Sequence, residues 1–337
     1  MSLTFSRPGR AQPLLVAVGE CMIELRNTGS ASMSRAYGGD TLNTAVYLAR
    51  LSKSSSPSQT PFPPFHYQVG YATALGADDP YSDEMLAAWK AEHLDTRFVN
   101  RPPNRLPGLY TITVDEQGER QFHYWRQNSP ARDYFNEGPS LLEQGLAQVD
   151  VLYLSGISLA ILPPEGRQRL FKALASLRAQ GGKVVFDNNY RPRLWASVQE
   201  AQAAYAQAYA CADVALITLN DEQAVWAESG EGASEAQIVA RAQALSNAGC
   251  AEVVVKRGAE PTLLFLSGQA PLSIPTQRVP KVVDTTAAGD SFAAGYVSAR
   301  LKEKAPHEAV LSGNLLASVV IQHPGAIIPL TAMPSGL

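Results

Sequence analysis

Two aspartates bracket a run of small residues near the C-terminal end of the sequence, Asp284-Thr285-Thr286-Ala287-Ala288-Gly289-Asp290. A helix pattern rich in small residues follows, beginning Ser291-Phe292-Ala293-Ala294-Gly295, and the small residues before Asp290 let the backbone turn tightly into it. Successive N–H groups at a helix start carry partial positive charge and can cradle an anion. A transferring phosphoryl group would be one such anion, with Asp290 beside it. Phosphoryl transfer asks mainly for positioning and charge stabilisation, so an ordinary carboxylate, ionised at neutral pH, suffices to orient a hydroxyl and accept its proton. The same residues also make an N-terminal helix cap, which needs no ligand. On spacing alone the two readings stand level, although two acids around this run are more particular than capping requires.

These residues need elements to hold them. Short apolar runs at 14–19, 151–154, 184–186, 214–217 and 252–256 have the character of strands buried on both faces of a parallel sheet. Helix-period segments at 165–179, 198–210 and 236–248 alternate with them. The pattern predicts an α/β fold, a doubly wound, mostly parallel sheet flanked by helices, with ligands gathered beyond the carboxyl ends of the strands. Two regions break the alternation, 21–37 and 108–126. The second reads as a hairpin, Leu109–Val114, a turn at 115–118, then 121–126. Together they form a small separate sheet, either an inert edge hairpin or a lid inserted in a single domain spanning 1–337. The Ser- and Pro-rich stretch 52–64 is a surface loop without catalytic residues.

Composition removes several classes of function. The balance of 28 Lys and Arg against 31 Asp and Glu provides no basic face for nucleic acid. Cys21, Cys211 and Cys250 are too scattered for disulfides or a zinc cluster and read as small buried residues in a reducing cytoplasm. The first ten residues lack the apolar core of a signal peptide, and no later run is long enough to cross a bilayer, so a soluble cytoplasmic protein is expected. His66, His93, His123, His307 and His323 have no metal-ligand spacing. There is no Gly-x-x-x-x-Gly-Lys-Ser/Thr segment for a P-loop, and no Gly-x-Gly-x-x-Gly after the first strand for a dinucleotide.

Asp-Thr-Thr-Ala-Ala-Gly-Asp-Ser-Phe at 284–292 resembles the C-terminal signature of the ribokinase-like (PfkB) sugar kinases. Gly19-Glu20-Cys21-Met22-Ile23-Glu24-Leu25, Gly38-Gly39-Asp40-Thr41-Leu42-Asn43, Asn104-Arg105-Leu106-Pro107-Gly108-Leu109-Tyr110 and Phe186-Asp187-Asn188-Asn189-Tyr190-Arg191-Pro192-Arg193-Leu194-Trp195 resemble the branch of that family acting on 2-keto-3-deoxygluconate. One such motif agrees easily by chance; five in the family's order do not. The resemblance implies a ribokinase-like fold with a β-sheet lid, and transfer of the ATP γ-phosphoryl group to the terminal hydroxyl of that sugar acid. It implies ATP with Mg2+, and it allows a monovalent cation.

It also assigns residues. Asp290 becomes the base, with the amides of Ala287, Ala288 and Gly289 around the phosphoryl group. Gly38, Gly39 and Asn43 go to the sugar, against the plainer reading of a flexible turn with Asp40 as cap. Tyr110, Tyr124 and Arg126 join them, with Arg126 as clamp for the substrate carboxylate. Asn189, Asn220, Lys256, Gly258, Thr285, Gly289 and Gly325 go to the nucleotide, the last beside a helix at 315–322 that packs near adenine. Arg191 reaches either the sugar or ATP. One departure stands out: the family's Asn-x-x-Glu pattern, begun by Asn220, meets Gln223 in place of glutamate. The carboxylate that assists the metal is thereby open, with Glu222 as the candidate and the ion held mainly by phosphates and water. A kinase of fructose, ribose or another neutral sugar, and a non-catalytic sugar- or nucleotide-binding regulator, remain the competing readings. The lid sheet would offer an edge for pairing between subunits.

Overall fold

The computed structural model describes residues 3–7, 9–10, 12–29, 32–53, 66–114, 120–227 and 232–337. Most of the Ser/Pro-rich stretch and the 115–118 turn lie outside the described residues. Thirteen strands are present among those described: β1 Leu14–Val18, β2 Met22–Gly29, β3 Ser32–Gly38, β4 Gln68–Ala74, β5 Val99–Asn100, β6 Leu109–Val114, β7 Arg120–Trp125, β8 Val151–Ser155, β9 Lys183–Asp187, β10 Val214–Thr218, β11 Glu252–Arg257, β12 Glu260–Leu266 and β13 Leu272–Ile274.

Nine of them form the main sheet in the order β13-β12-β11-β10-β9-β8-β1-β4-β5. From β11 to β5 every pairing is parallel, and β12 and β13 add an antiparallel edge. β1 shows why apolar runs mark these strands: Leu14, Val16 and Val18 enter one core, while Leu15 and Ala17 enter the other. The helices Pro164–Ala179, Val198–Cys211 and Glu235–Asn247 cover the first face. Asp40–Leu51, Pro80–Ala91, Ala288–Leu301 and Pro306–Val320 cover the second. The expected strands and helices are all present, with ends shifted by a residue or two, except that the helix expected at 315–322 begins nine residues earlier, as Pro306–Val320. β4, β5, β12 and β13 were not foreseen.

The parallel register sets the carboxyl edge. It aligns Ser155 with Asp187, Asp187 with Leu216, and Thr218 with Lys256. The second core brings two further helices to this edge. Ala288–Leu301 packs so tightly on Pro306–Val320 that a Cβ on Gly295 would lie 2.6 Å from the Ser312 carbonyl oxygen, and one on Gly313 would lie 2.9 Å from the Phe292 ring. Part of the small-residue character after Asp290 therefore serves helix packing.

The remaining strands build the expected second sheet, in the order β3-β2-β6-β7. Its two hairpins are joined by a parallel pairing of β2 with β6. Among the described residues its own core is Met22, Tyr110 and Ile112, and Met33, Phe122, Tyr124 and Trp125 are exposed. Arg35 and Tyr37 of β3 both bond Glu84 of the helix Pro80–Ala91, which fastens this lid to the body. Cys21 and Cys250 are buried and Cys211 partly so, all as free thiols. Among the described residues no helix is long and apolar enough to cross a membrane.

Candidate active site

The 284–290 turn leads into Ala288–Leu301 through Ala287, whose backbone is left-handed (φ 60°, ψ 17°) and whose position is the helix N-cap. Asp290 is therefore not the cap. It lies in the first turn, where its Oδ2 accepts a hydrogen bond from Asn43 Nδ2 at 2.8 Å, and its backbone carbonyl accepts one from Thr44 Oγ1 at 3.2 Å. Asp284 does different work. Its carboxylate takes the Thr286 N–H (3.0 Å) and hydroxyl (2.7 Å), and the Gly325 N–H (2.8 Å), bracing the turn against the segment beyond the last long helix. The N–H of Ala288 closes on the Thr285 carbonyl at 3.2 Å. The anion pocket expected at 287–289 is thus narrowed toward Gly289 and Asp290, whose N–H groups have no carbonyl one turn back within the helix.

Around Asp290 the charges are crowded. Asp40 opens the helix Asp40–Leu51 but does not cap it; its Oδ2 accepts from Ser155 Oγ (2.5 Å) and from Asn189 Nδ2 (2.7 Å). Lys256 Nζ lies 2.9 and 3.1 Å from the two oxygens of Asp187. Burial, then the nearby Asp40, pushes the Asp290 carboxyl well above the usual carboxylate range, with Asn43 and Lys256 opposing and Asp187 adding to the rise. The expectation of an ordinary acid is corrected accordingly: burial first, and the neighbouring carboxylates second, raise the pKa of Asp290.

The sugar-side residues meet at the root of the lid. A Cβ on Gly38 would stand 2.2 Å from the Tyr110 hydroxyl, and one on Gly39 would stand 2.1 Å from the Glu20 carbonyl oxygen. The two glycines are required first by the chain's own close approach. The Tyr110 hydroxyl is held by Glu24. Arg126 is buried and paired with Glu20, its guanidinium also 5.6 Å from the centre of the Tyr124 ring. Arg126, expected as clamp for the substrate carboxylate, therefore already has a counterion within the protein. Arg191, half exposed, bonds the Tyr190 carbonyl (2.7 Å) and has a long 3.4 Å pair with Asp221. Tyr124 lies within the field of Arg126, Arg191 and Arg193, so β7 and the loop after β9 face each other across the cleft.

On the far side of the turn, Asn220, Gly258 and Thr285 are exposed, and Gly258 has φ +63° in the turn from β11 to β12. Glu222 is fully buried. Its oxygens accept from Asn188 Nδ2 (3.0 Å), Tyr209 OH (2.6 Å) and Trp226 Nε1 (2.6 Å), and burial raises its pKa. Such a carboxylate has no face for an ion, so the candidacy of Glu222 as metal ligand is withdrawn. Among the described residues no group of three or more His, Cys, Asp or Glu could hold a metal.

The description "pfkB family carbohydrate kinase" matches residues 12–333. The chain belongs to that family. It is 49% identical to the 2-dehydro-3-deoxygluconokinase of Dickeya dadantii over 95% of this chain and 98% of that one. It is 48% identical to the enzyme of the same name from Escherichia coli K12, over 95% and 99%. Among solved structures, a ribokinase II from E. coli in complex with ATP and Mg2+ superposes with a TM-score of 0.76 at 18% identity, covering 96% of this chain and 95% of that one. That likeness concerns the fold.

Within this pfkB kinase, Asp290, Asn43, Asn189, Lys256 and Gly289 come together in one connected cluster, and Gly38, Gly39, Tyr110 and Arg126 in a second at the lid root. Asn220 and Gly258 stand apart on the same sheet edge. Sequence reasoning passed over Asp40, Asp187, Glu20 and Glu24 as site residues. Two had a usable signal: Glu20 directly follows the turn after β1, and Asp187 is the last residue of β9, both at carboxyl ends where ligands gather.

Proposed function

We propose that the chain transfers the γ-phosphoryl group of ATP to the terminal hydroxyl of 2-keto-3-deoxy-D-gluconate (2-dehydro-3-deoxygluconate), giving the 6-phosphate. The observation that carries the mechanism is the 2.8 Å bond from Asn43 to Asp290, because it ties the helix behind the Gly38-Gly39 turn to the residue beside the anion pocket. The sugar hydroxyl and the phosphoryl group are then brought to one carboxylate. Asp290 orients the hydroxyl and takes its proton as the new P–O bond forms, and the Gly289 and Asp290 N–H groups face the migrating phosphoryl. The nucleotide lies along Asn220, Gly258, Thr285 and Gly325. Mg2+ enters with ATP as part of the substrate, bound through phosphates and water.

The choice of a sugar acid rests on the two relatives that carry that activity in their names, together with the arginines. Glu20 already answers Arg126, so we assign the substrate carboxylate to Arg191, which is half exposed and holds Asp221 only at 3.4 Å. Arg126 then holds Tyr124 and the lid root in place. A coupled ADP-release assay across sugars with and without a C1 carboxylate tests this. Turnover is expected on the acid and little on fructose or ribose; equal rates on neutral sugars would sink the acid assignment. In the same assay, Arg191→Ala should raise KM for the acid more than Arg126→Lys does. The exposed aromatic residues of the lid also suit pairing of two lid sheets in a homo-oligomer.

A further inference from the structure

The Lys256–Asp187 ion pair is not used by the mechanism above. It joins the carboxyl ends of β11 and β9, and its side chains are only 10% and 5% exposed. Burying two charges costs desolvation that a well-packed apolar pair would not incur, so the reason for the pair is sought in what surrounds it. Lys256 Nζ lies 3.6 Å from the point where a side chain on Gly289 would begin. It also lies 5.9 Å from the centre of the Phe292 ring on the same helix. The ammonium thus stands directly behind the turn that carries Asp290.

Every element packed around Asp290 contributes a group. The helix Asp40–Leu51 brings Asp40, Asn43 and Tyr47, β8 brings Tyr153, β9 brings Asp187, and β11 brings Lys256. Two of these are carboxylates and one is an ammonium, before any nucleotide adds its own negative charge. Carboxylates that share a site cannot all ionise near neutrality, and a protonated Asp290 cannot accept a proton from the sugar. An ammonium in direct contact with Asp290 would correct this too far, by occupying the oxygen that the hydroxyl must approach. The arrangement avoids both extremes: two donors of the ammonium are spent on Asp187, and its charge still lowers the pKa of the base.

We propose that Asp187 and Lys256 act as a positioning pair for the base, Lys256 keeping Asp290 able to release its proton and Asp187 holding Lys256 at a distance from it. This deepens the kinase reading and rests on Asp290 being its base. The direct test is a 13C-carboxyl NMR titration of Asp290 in the substrate-free protein, with the resonance assigned by its loss in Asp290→Asn. Lys256→Gln should move the Asp290 midpoint up and Asp187→Asn should move it down, each by about one pH unit. The low-pH limb of kcat should follow in the same directions. The double variant, neutral at both positions, should return near the wild-type midpoint, and Lys256→Arg, which keeps the charge, should stay close to it. A purely structural pair would give single variants that shift together or not at all, and that result overturns the proposal. If one single variant fails to fold, the remaining single and Lys256→Arg still decide, since a wild-type midpoint in the former or a large shift in the latter rejects it. The titration needs no substrate. Opposite shifts in a protein that phosphorylates no sugar acid would therefore uphold the pair and reject the kinase assignment, whereas turnover with unmoved midpoints would do the reverse.

Discussion

The strand β11 and the helix Ala288–Leu301 run antiparallel, and a buried ion pair stands at each end of the unit they form. At one end Glu252 accepts from Arg300 Nε (3.1 Å) and Nη2 (2.8 Å) and from the Tyr296 hydroxyl (2.5 Å). Arg300 spends two further donors on the carbonyls of Leu3 and Lys304. Both side chains are 3% exposed. At the other end Lys256 faces Asp187, with Asp290 and Asp40 close by and one side-chain donor, Asn43, on the base. The first end has donors and acceptors matched and charge balanced. The second has an excess of carboxylate and an opening to the cleft. A balanced pair holds the helix on the sheet; an unbalanced one leaves a group able to change protonation near neutral pH, which is what proton transfer from a hydroxyl requires.

The largest effect expected is at the unbalanced end. Asp290→Asn should lower kcat by about 100- to 10,000-fold while ATP still binds, measured by ADP release and by nucleotide titration. The same variant should behave unusually in stability. Because the folded pKa of Asp290 is raised above its unfolded value, the folded chain holds more protons between the two values and loses stability as pH rises through that interval. Asp290→Asn removes this slope, so its urea midpoint should gain on wild type from mildly acidic to mildly alkaline pH. A constant offset at every pH would mean that Asp290 ionises as easily folded as unfolded, and the contrast between the two ends would fail.

At the balanced end the expected outcome is reversed. Arg300→Met leaves Glu252 buried without its cation and should cost about 3–5 kcal/mol in unfolding free energy. Its kcat, measured where the variant is still folded, should be unchanged. A fall in kcat at constant fold would show that strain at Glu252 reaches the cleft and would erase the distinction.

How much of this could be read in the sequence follows from the separations involved. The strands of the parallel core were legible because each is a continuous apolar run. β4 was not, since Gly70 and Thr73 interrupt it; a Cβ on Gly70 would lie 3.2 Å from the Phe98 ring, a constraint visible only once the strand is packed. The 284–290 segment was legible as a turn with an acid, because its spacing is local. Its partners were not: Asn43 is 247 residues from Asp290, Glu20 is 106 from Arg126, and Asp187 is 69 from Lys256. Strand register decides which of these meet, and spacing along the chain carries no trace of it. Hence the sequence shows Arg126 as a clamp and Glu222 as a candidate metal carboxylate, but not Glu20 beside the first or Asn188, Tyr209 and Trp226 around the second.

The smallest effect concerns Ala287, the left-handed residue at the unbalanced end. The helix begins at Ala287 with φ 60°, and a second left-handed residue, Glu303 with φ 61°, follows its C-cap Lys302. For an L-residue the left-handed conformation costs about 1–2 kcal/mol. Glycine there would lose that strain but would gain freedom in the unfolded chain, which returns about 0.5–1 kcal/mol. Ala287→Gly should therefore stabilise the protein by about 1 kcal/mol or less, read as a rise in urea midpoint at unchanged m-value. If the strain only shapes the turn, turnover stays as it was, and the functional end differs from the structural one in charge alone. If kcat falls while stability rises, the methyl group is holding the Gly289 and Asp290 N–H groups toward the phosphoryl, and the strain at this end belongs to the mechanism.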